Sequence, residues 1–589
     1  MKKFILSLSF ALLGIASLFA ARANSNIAKI TLADGTQVSA RLYGDEHFHY
    51  YKMLDGTPLK KNAEGKYEKT TTEELQARQM QRASGIGSNR TPRYFPHQGS
   101  PRALVILVQF QDVKFKSSDP VTTFNHYLNA EMGEAAPAAD KLVYNNEEAN
   151  TNYGSVRQYF SDMSQGKFTP QFDIVGPVTV SKSSAYYGED TSNPGNGSDD
   201  NCKQMISEAC VLVAKDKTQN INFADYDSDG DGYVDLVYII YAGYSQSWGG
   251  NSDDCLWPKS GAANFYQYDT NGNKTNEILK LDGKFISRYG INNELNQTPD
   301  DKDDEGRDYI NGIGLFCHEF SHTLGLPDLY DTNGDYNDQS PDYWDLMDGG
   351  EYTNHGYCPT PYSPWETEMM GWSAPITLAA DEPQQLTLEP YSENAKAYKI
   401  KDEGNGEYLL LQSIPDWGWY QHLYGYGMLV WRIDYADKES VNLFDYPNNK
   451  LGKPRVMIVP ADGELLYSLL CGEGETYSNQ QWLTSMQNDP FPAYGIGENG
   501  KDIDQLTSVK LNHSTLTTRP LYNIKKNEST GIVTFDYLKD FSTGISRAIV
   551  DDADNKPTRY FDLEGRKIET LQKGHLYITN KGKKLIYQE

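Results

Sequence analysis

The stretch "GLFCHEFSHTLGLPDLYD", Gly314 to Asp331, restricts what this chain can fold into more than any other. With Ile313 to Leu324 on a helix at about 100° per residue, Ile313, Phe316, Cys317, Phe320 and Leu324 share one apolar stripe. His318 and His322 then fall on the opposite side, one turn apart. That spacing aims both imidazoles at one point, as two zinc bonds of about 2.0–2.1 Å require, with Glu319 beside them to take a proton from a metal-held water. Gly325 can adopt the left-handed conformation that ends a helix, and Pro327 prevents its resumption. The chain must then turn, and Asp328 is the next oxygen donor able to reach the same point. A fourth position is left for water, which marks a catalytic rather than a structural zinc. Glu351, Glu366 and Glu368 are rival third ligands from downstream. The plain alternative is a helix whose His-Glu-His face is merely solvated, and Gly325, Pro327 and Asp328 in series weigh against it.

The surrounding patterns predict a sheet for this helix to pack on. "ALVILVQF" (Ala103 to Phe110) and "VDLVYIIYAG" (Val234 to Gly243) are near-continuous apolar runs of strand length, suited to strands buried on both faces. In "GSVRQYFSDMSQGKF", Ser155 is a credible N-cap and Gly166 a stop, so a helix is expected between them. From about Trp372 the pattern changes to short alternating segments such as "EYLLLQS", "GYGMLVWRID" and "KPRVMIVPADG", which predict an antiparallel β domain. Residues 24 to about 98 read as short strands and turns. They run into a polar, arginine-dotted stretch, "QARQMQRASGIGSNRTPRYF", that has the composition of a linker open to proteolysis.

At 589 residues and 38% apolar content the chain has ample core for several domains. Lys2 and Lys3, the apolar run Phe4 to Ala20 and the small-x-small "ARA" at Ala21 to Ala23 predict a signal peptide and a mature chain beginning near Asn24. No other segment is long and apolar enough to cross a membrane as a helix. The net charge of 54 − 81 = −27 disfavours nucleic acid and anionic lipid as partners. Six cysteines are few for a secreted chain of this size. Cys202 and Cys210 share a predicted helix, about 12 Å of rise apart and too far to bridge. "DYDSDGDGYVD" offers Asp227, Asp229, Asp231 and Asp235, with Gly232 at the sharp turn and the carbonyl of Tyr233, in the order of a calcium loop. Its twelfth position is Tyr238 rather than a bidentate glutamate, so a shortened calcium site competes with a simple Asp/Gly turn. "DTNGDYND" (Asp331 to Asp338) is a looser set of the same kind.

"HEFSHTLGLPDLYD" matches H-E-x-x-H-x-x-G-x-x-D. Together with "RALVILVQFQDVKF", "GSVRQYFSDMSQGKFTPQFDIVGPV", "DYDSDGDGYVDLVYIIYAG", "DYWDLMDGG" and "PYSPWETEMMGW", it resembles the immune inhibitor A family of secreted bacterial zinc metallopeptidases, relatives of the metzincins. The likeness is dense from about 100 to 373. It implies an α+β protein with a metzincin-like zinc peptidase domain, a twisted mixed sheet over the active-site helix, and Met347 in a turn that floors the metal. Met347 as ordinary core is the alternative. The turn reads "DLMDGGEY", so spacing does not fix a tyrosine that polarises the scissile carbonyl; Tyr352 and Tyr343 are candidates.

The division expected is a signal peptide (1–23), a propeptide (24–98), the catalytic domain (99–373), a C-terminal antiparallel β-sandwich (374–540) and a final β segment (541–589). The segment before 99 resembles the propeptides of such enzymes and holds no cysteine, which excludes a cysteine switch and leaves a carboxylate or imidazole of "GDEHFHY" (Gly44 to Tyr50) as a candidate metal cap. The tail "RYFDLEGRKIETLQKGHLYITNKGKKLI" resembles C-terminal segments of exported Bacteroidetes-type proteins, some of which are type IX sorting signals. The expected function is that of a secreted zinc-dependent endopeptidase. It would hold Zn²⁺ through His318, His322 and Asp328, use Glu319 as base, carry structural Ca²⁺, act on protein or peptide substrates and work as a monomer without membrane insertion. The competing reading is a catalytically idle, metallopeptidase-like surface protein that binds host proteins or glycans; intact His318, Glu319, His322 and Asp328 disfavour it.

Overall fold

In the computed structural model the run at Ala103 becomes strand β1 (Arg102–Gln109), buried without interruption from Ala103 to Val108. The structure describes residues 17–19, 21–24, 26–45, 48–62, 64–75, 94–134, 142–143, 152–190, 199–251, 254–269, 272–332, 340–435, 446–543 and parts of 560–586. The stretch 1–16, the linker residues 76–93 and much of the final segment lie outside these.

β1 runs parallel to β2 (Gln171–Thr179) on one side and to β3 (Val237–Tyr241) on the other. Beyond β3 come β5 (Arg288–Asn293), parallel to it, and β4 (Lys259–Ala262), antiparallel to β5. The short strand Ser17–Phe19 pairs antiparallel with β4 and completes a six-stranded mixed sheet.

Successive strand residues face opposite sides, and here both sides are covered. Leu104, Ile106, Val108, Val237, Ile239 and Tyr241 pack on helix α3 (Cys202–Lys215) through Met205, Ile206, Ala209, Cys210 and Val213. Ala103, Val105, Leu107, Tyr238 and Ile240 pack on α1 (Pro120–Asn129), α2 (Val156–Met163) and α4 (Ile313–Leu324). Covering on both faces is why the strand sequences read as solid apolar runs rather than alternating ones. All six cysteines are thiols.

α4 is registered on the sheet by aromatic packing. Phe316 stacks on Tyr238 with ring centroids 4.0 Å apart and meets Phe172 edge-on at 5.4 Å. Gly290 of β5 leaves room for that tyrosine, since a Cβ there would lie 2.4 Å from its ring. Phe316→Ala is therefore expected to destabilise the protein by about 3–5 kcal/mol. The check is the urea midpoint at unchanged m-value; a shift of less than about 0.5 kcal/mol, the range of ordinary surface changes, would contradict this packing.

The region after Trp372 includes two larger sheets. One holds Ile376–Thr377, Tyr398–Lys401, Tyr408–Ile414, Gly427–Ile433 and Val456–Ile458 in that order, and the other Gln384–Leu388, Val533–Tyr537 and Leu521–Lys526. Pairing is antiparallel throughout except between the first two strands, which run parallel, a departure from the wholly antiparallel expectation. Ile400, Leu409, Leu411 and Val430 meet Leu388, Val533 and Phe535 in one core, whereas Leu410, Leu429, Trp431 and Ile433 face the core shared with α4. Among the described residues no helix is long and apolar enough to cross a membrane.

Candidate active site

All twelve residues of α4 are buried, so the His-Glu-His side is not a solvated surface. Gly325, at φ +120°, ends the helix as its sequence predicts: its N–H donates to the carbonyls of Ser321 and His322, at 3.0 and 3.2 Å. The turn that follows sends the Leu326 carbonyl back to His322 Nδ1, at 2.8 Å. His318 Nδ1 lies 2.9 Å from the Leu346 carbonyl. A carbonyl only accepts, so both Nδ1 atoms carry the ring hydrogen and both Nε2 atoms present lone pairs.

Those Nε2 atoms lie 3.1 Å apart, and each is close to Asp328 Oδ1, His318 at 3.3 Å and His322 at 3.2 Å. The three donor atoms fall within 4.8 Å of one another and are buried. Three lone-pair donors at such separations repel one another unless a cation lies between them. The set therefore suits a divalent metal of the nitrogen- and oxygen-binding kind, with the second ring nitrogen of each histidine held by a backbone carbonyl.

The rival carboxylates are occupied elsewhere or lie on the wrong side. Glu351 is buried 4.0 Å from Nδ1 of His318, the atom already given to Leu346, and burial pushes its carboxyl up to about 8. Glu366 Oε2 accepts from the Ser363 N–H at 2.6 Å and closes the capping box of helix α5 (Pro364–Met369). Glu368 pairs with the Lys399 ammonium at 2.6 Å.

Met347 is fully buried. Its N–H donates to Asp345 at 2.8 Å, and its carbonyl accepts from the Leu329 N–H at 2.9 Å. The Leu346–Met347 turn thus holds both the first histidine and the backbone beside Asp328. Glu319 is also buried, and its Oε1 accepts the Ala21 N–H at 2.7 Å. Trp257 Nε1 donates to the Ala21 carbonyl at 2.9 Å, and the Tyr352 hydroxyl donates to the Arg22 carbonyl at 2.8 Å. Tyr343 packs edge-on against Trp482 and Tyr424. A peptide segment, here the chain's own, therefore passes the Glu319 carboxylate.

Asp227, Asp229 and Asp235 bring carboxylate oxygens within 4.8 Å of one another, with Gly232 at φ +91° making the turn. Asp231 is not in this group; its carboxylate accepts the Tyr233 N–H at 2.9 Å. The Lys284 ammonium sits on Asp227, and that hydrogen bond is the main cause of its lowered pKa, while burial raises that of Asp235. Of the looser set Asp331 to Asp338, only Asp331 and Thr332 are among the described residues. In Gly44 to Tyr50, Asp45 accepts the Phe48 N–H at 2.9 Å, and His49 faces the Asp45 carbonyl and Gln246, both at 3.2 Å. Glu46 and His47 lie outside the described residues.

Sequence reasoning missed Trp257 and the pairing of β4 with Ser17–Phe19, along with the acidic recess of Asp342 and Asp348. No local pattern marks residues whose partners lie hundreds of positions away.

Residues 94–373 match the family model described as the catalytic domain of immune inhibitor A peptidase M6. The chain is 28% identical over 279 residues to the pre-pro-metalloprotease PrtV of Vibrio cholerae serotype O1 (strain M66-2), an alignment covering 42% of this chain and 28% of that protein. It is 28% identical over 290 residues to immune inhibitor A of Bacillus thuringiensis subsp. alesti, covering 45% of this chain and 39% of that one. The chain thus spans well under half the length of either relative. Residues 94–373 therefore constitute an immune inhibitor A-type metallopeptidase domain.

Proposed function

We propose that the chain is a secreted zinc-dependent endopeptidase that hydrolyses peptide bonds of proteins, with His318, His322 and Asp328 as zinc ligands and Glu319 as general base. The observation that carries this reading is the convergence of two Nε2 lone pairs and a carboxylate oxygen beside a buried glutamate that already faces a peptide N–H. Zinc held by these donors would supply a water acidic near neutral pH and a positive centre for the scissile carbonyl. Glu319 takes the proton of the attacking water and returns it to the leaving amine, a transfer that needs a carboxylate oxygen within hydrogen-bond reach of the amide nitrogen. The 2.7 Å contact from Ala21 N–H to Oε1 has that reach. The Leu346–Met347 turn orients His318 from behind, the part the metzincin resemblance gives to Met347. Tyr352, meeting a carbonyl one residue beyond Ala21, holds the bound strand rather than polarising its reacting carbonyl.

The same reading takes 1–23 as signal peptide, 24–98 as propeptide, 99–373 as catalytic domain, 374–540 as β-sandwich and 541–589 as a sorting or surface-attachment segment. It places the protein outside the cell as a monomer. Hydrolysis of casein that stops with a zinc chelator and returns with added zinc tests the activity; inertness toward casein in the zinc-restored, processed protein would overturn it.

Asp227, Asp229 and Asp235 would hold a structural Ca²⁺ if Lys284 gives way, with Asp231 and the Tyr233 carbonyl as further ligands. Calcium at a hundred times its Kd would then add about 2.7 kcal/mol, read as a rise in Tm that Asp229→Ala removes. An identical Tm with and without calcium would leave the loop a plain Asp/Gly turn.

A further inference from the structure

The segment that passes Glu319 carries an arginine into a recess built for a guanidinium. Arg22 follows Ala21, and its side chain is 5% exposed. Its Nη1 donates to the Tyr467 hydroxyl at 2.8 Å and lies 3.2 Å from Asp348 Oδ1, while Nη2 donates to Asp342 Oδ1 at 3.1 Å and Ser468 Oγ at 3.3 Å. Its Nε–H has no hydrogen-bond partner among the described residues. The Tyr467 ring lies under the guanidinium, centroid 5.2 Å away.

The recess is shaped independently of its occupant. Asp342 is held by the Ser468 N–H at 2.9 Å and Trp482 Nε1 at 3.0 Å, which fix Oδ2 and leave Oδ1 toward the guanidinium. It adopts φ +52°, a left-handed conformation that a non-glycine residue enters at a cost. Gly349 borders the recess, where a Cβ would lie 2.2 Å from Nη2. Two buried carboxylates, a hydroxyl, an aromatic face and a missing side chain together form a binding site for a planar, bidentate cation.

We infer that this recess is a substrate subsite for arginine, located one residue beyond the residue whose amide nitrogen faces Glu319. The inference rests on the peptidase reading and deepens it: the preferred substrates are extended polypeptides with arginine at the second position after the cleaved bond. Lysine, which lacks the planar fork, satisfies fewer of the four partners, and a carboxylate side chain there meets Asp342 and Asp348.

The test uses protein purified as the expressing cells secrete it, with its N terminus sequenced. It is given four peptides identical except for Arg, Lys, Ala or Glu at that position. Signal-peptide removal takes Ala21 and Arg22 with it, and any copy of that segment left in the site slows all four peptides by the same factor, so their ratios report the recess. The expected order of kcat/KM is Arg, Lys, Ala, Glu, with Arg about 10–100-fold above Ala, the span of charge-assisted hydrogen bonds. Asp342→Asn, and separately Tyr467→Phe, should shrink the Arg-to-Ala ratio, the first to less than a third of its starting value. Equal kcat/KM for Arg and Ala, or an unchanged ratio in a folded Asp342→Asn protein, overturns the subsite.

A binding arm separates this from failure of the peptidase reading. On Glu319→Gln protein, fluorescein-labelled Arg and Ala peptides are compared by anisotropy. Tighter binding of the Arg peptide without hydrolysis of any peptide or casein by the unmodified protein would keep the subsite and sink the peptidase assignment. Equal binding would sink the subsite whatever the activity.

Discussion

Glu319→Gln should yield a folded protein that keeps its metal and loses about 10²–10⁴-fold or more of its peptide hydrolysis, the usual contribution of a positioned general base. The amide is nearly isosteric and can still meet the groove strand, but it cannot take a proton from water. The buried position sharpens the expectation, because among the described residues no other carboxylate lies where Glu319 faces the Ala21 N–H: Asp328 turns to the histidines, and Glu351 lies behind His318. Hydrolysis of casein with metal content measured on the same sample is the check. Retained turnover at full metal loading would remove Glu319 from the chemistry.

The second large effect is on the metal. Asp328→Ala removes the one carboxylate oxygen that, among the described residues, lies within 3.3 Å of both Nε2 atoms. Zinc affinity should fall by more than the roughly 10–100-fold that loss of an outer hydrogen-bond partner costs. Glu351→Gln should leave zinc bound, since that side chain approaches His318 from the Nδ1 side. Zinc per chain after dialysis against a competing chelator separates the two, and Tm should fall with the lost zinc because bound metal stabilises the folded state. Full zinc in Asp328→Ala, or its loss in Glu351→Gln, would move the third ligand to the downstream glutamate.

Much of the proposed metal site was legible because it is local. His318, Glu319 and His322 sit on one helical turn, Gly325 ends that helix, and the turn after it leaves Asp328 within reach; spacing and backbone conformation suffice to bring them together. The buried strands β1 and β3 were legible for a similar reason, since a strand covered on both faces must be apolar at every position. The parallel pairing of Ile376–Thr377 with Tyr398–Lys401 was not, because an isolated two-residue strand carries no signal of direction. The acidic loop was legible as a cluster, but not Lys284 on Asp227, 57 positions away. Which ring nitrogen of His318 Asp328 and Glu351 each approach was not legible, because it depends on the Leu346 carbonyl arriving from another segment.

By itself the sequence determined the helix, its two imidazoles, the glutamate between them and the doubly covered sheet beneath, because residue type and short-range geometry decide those. Only the tertiary structure decided what surrounds the segment beside Glu319: strand β4, Trp257, and the recess in which Asp342 meets Ser468 from 126 positions further along. Contacts of that range are selected by the packing of whole sheets against one another, and no local periodicity encodes them.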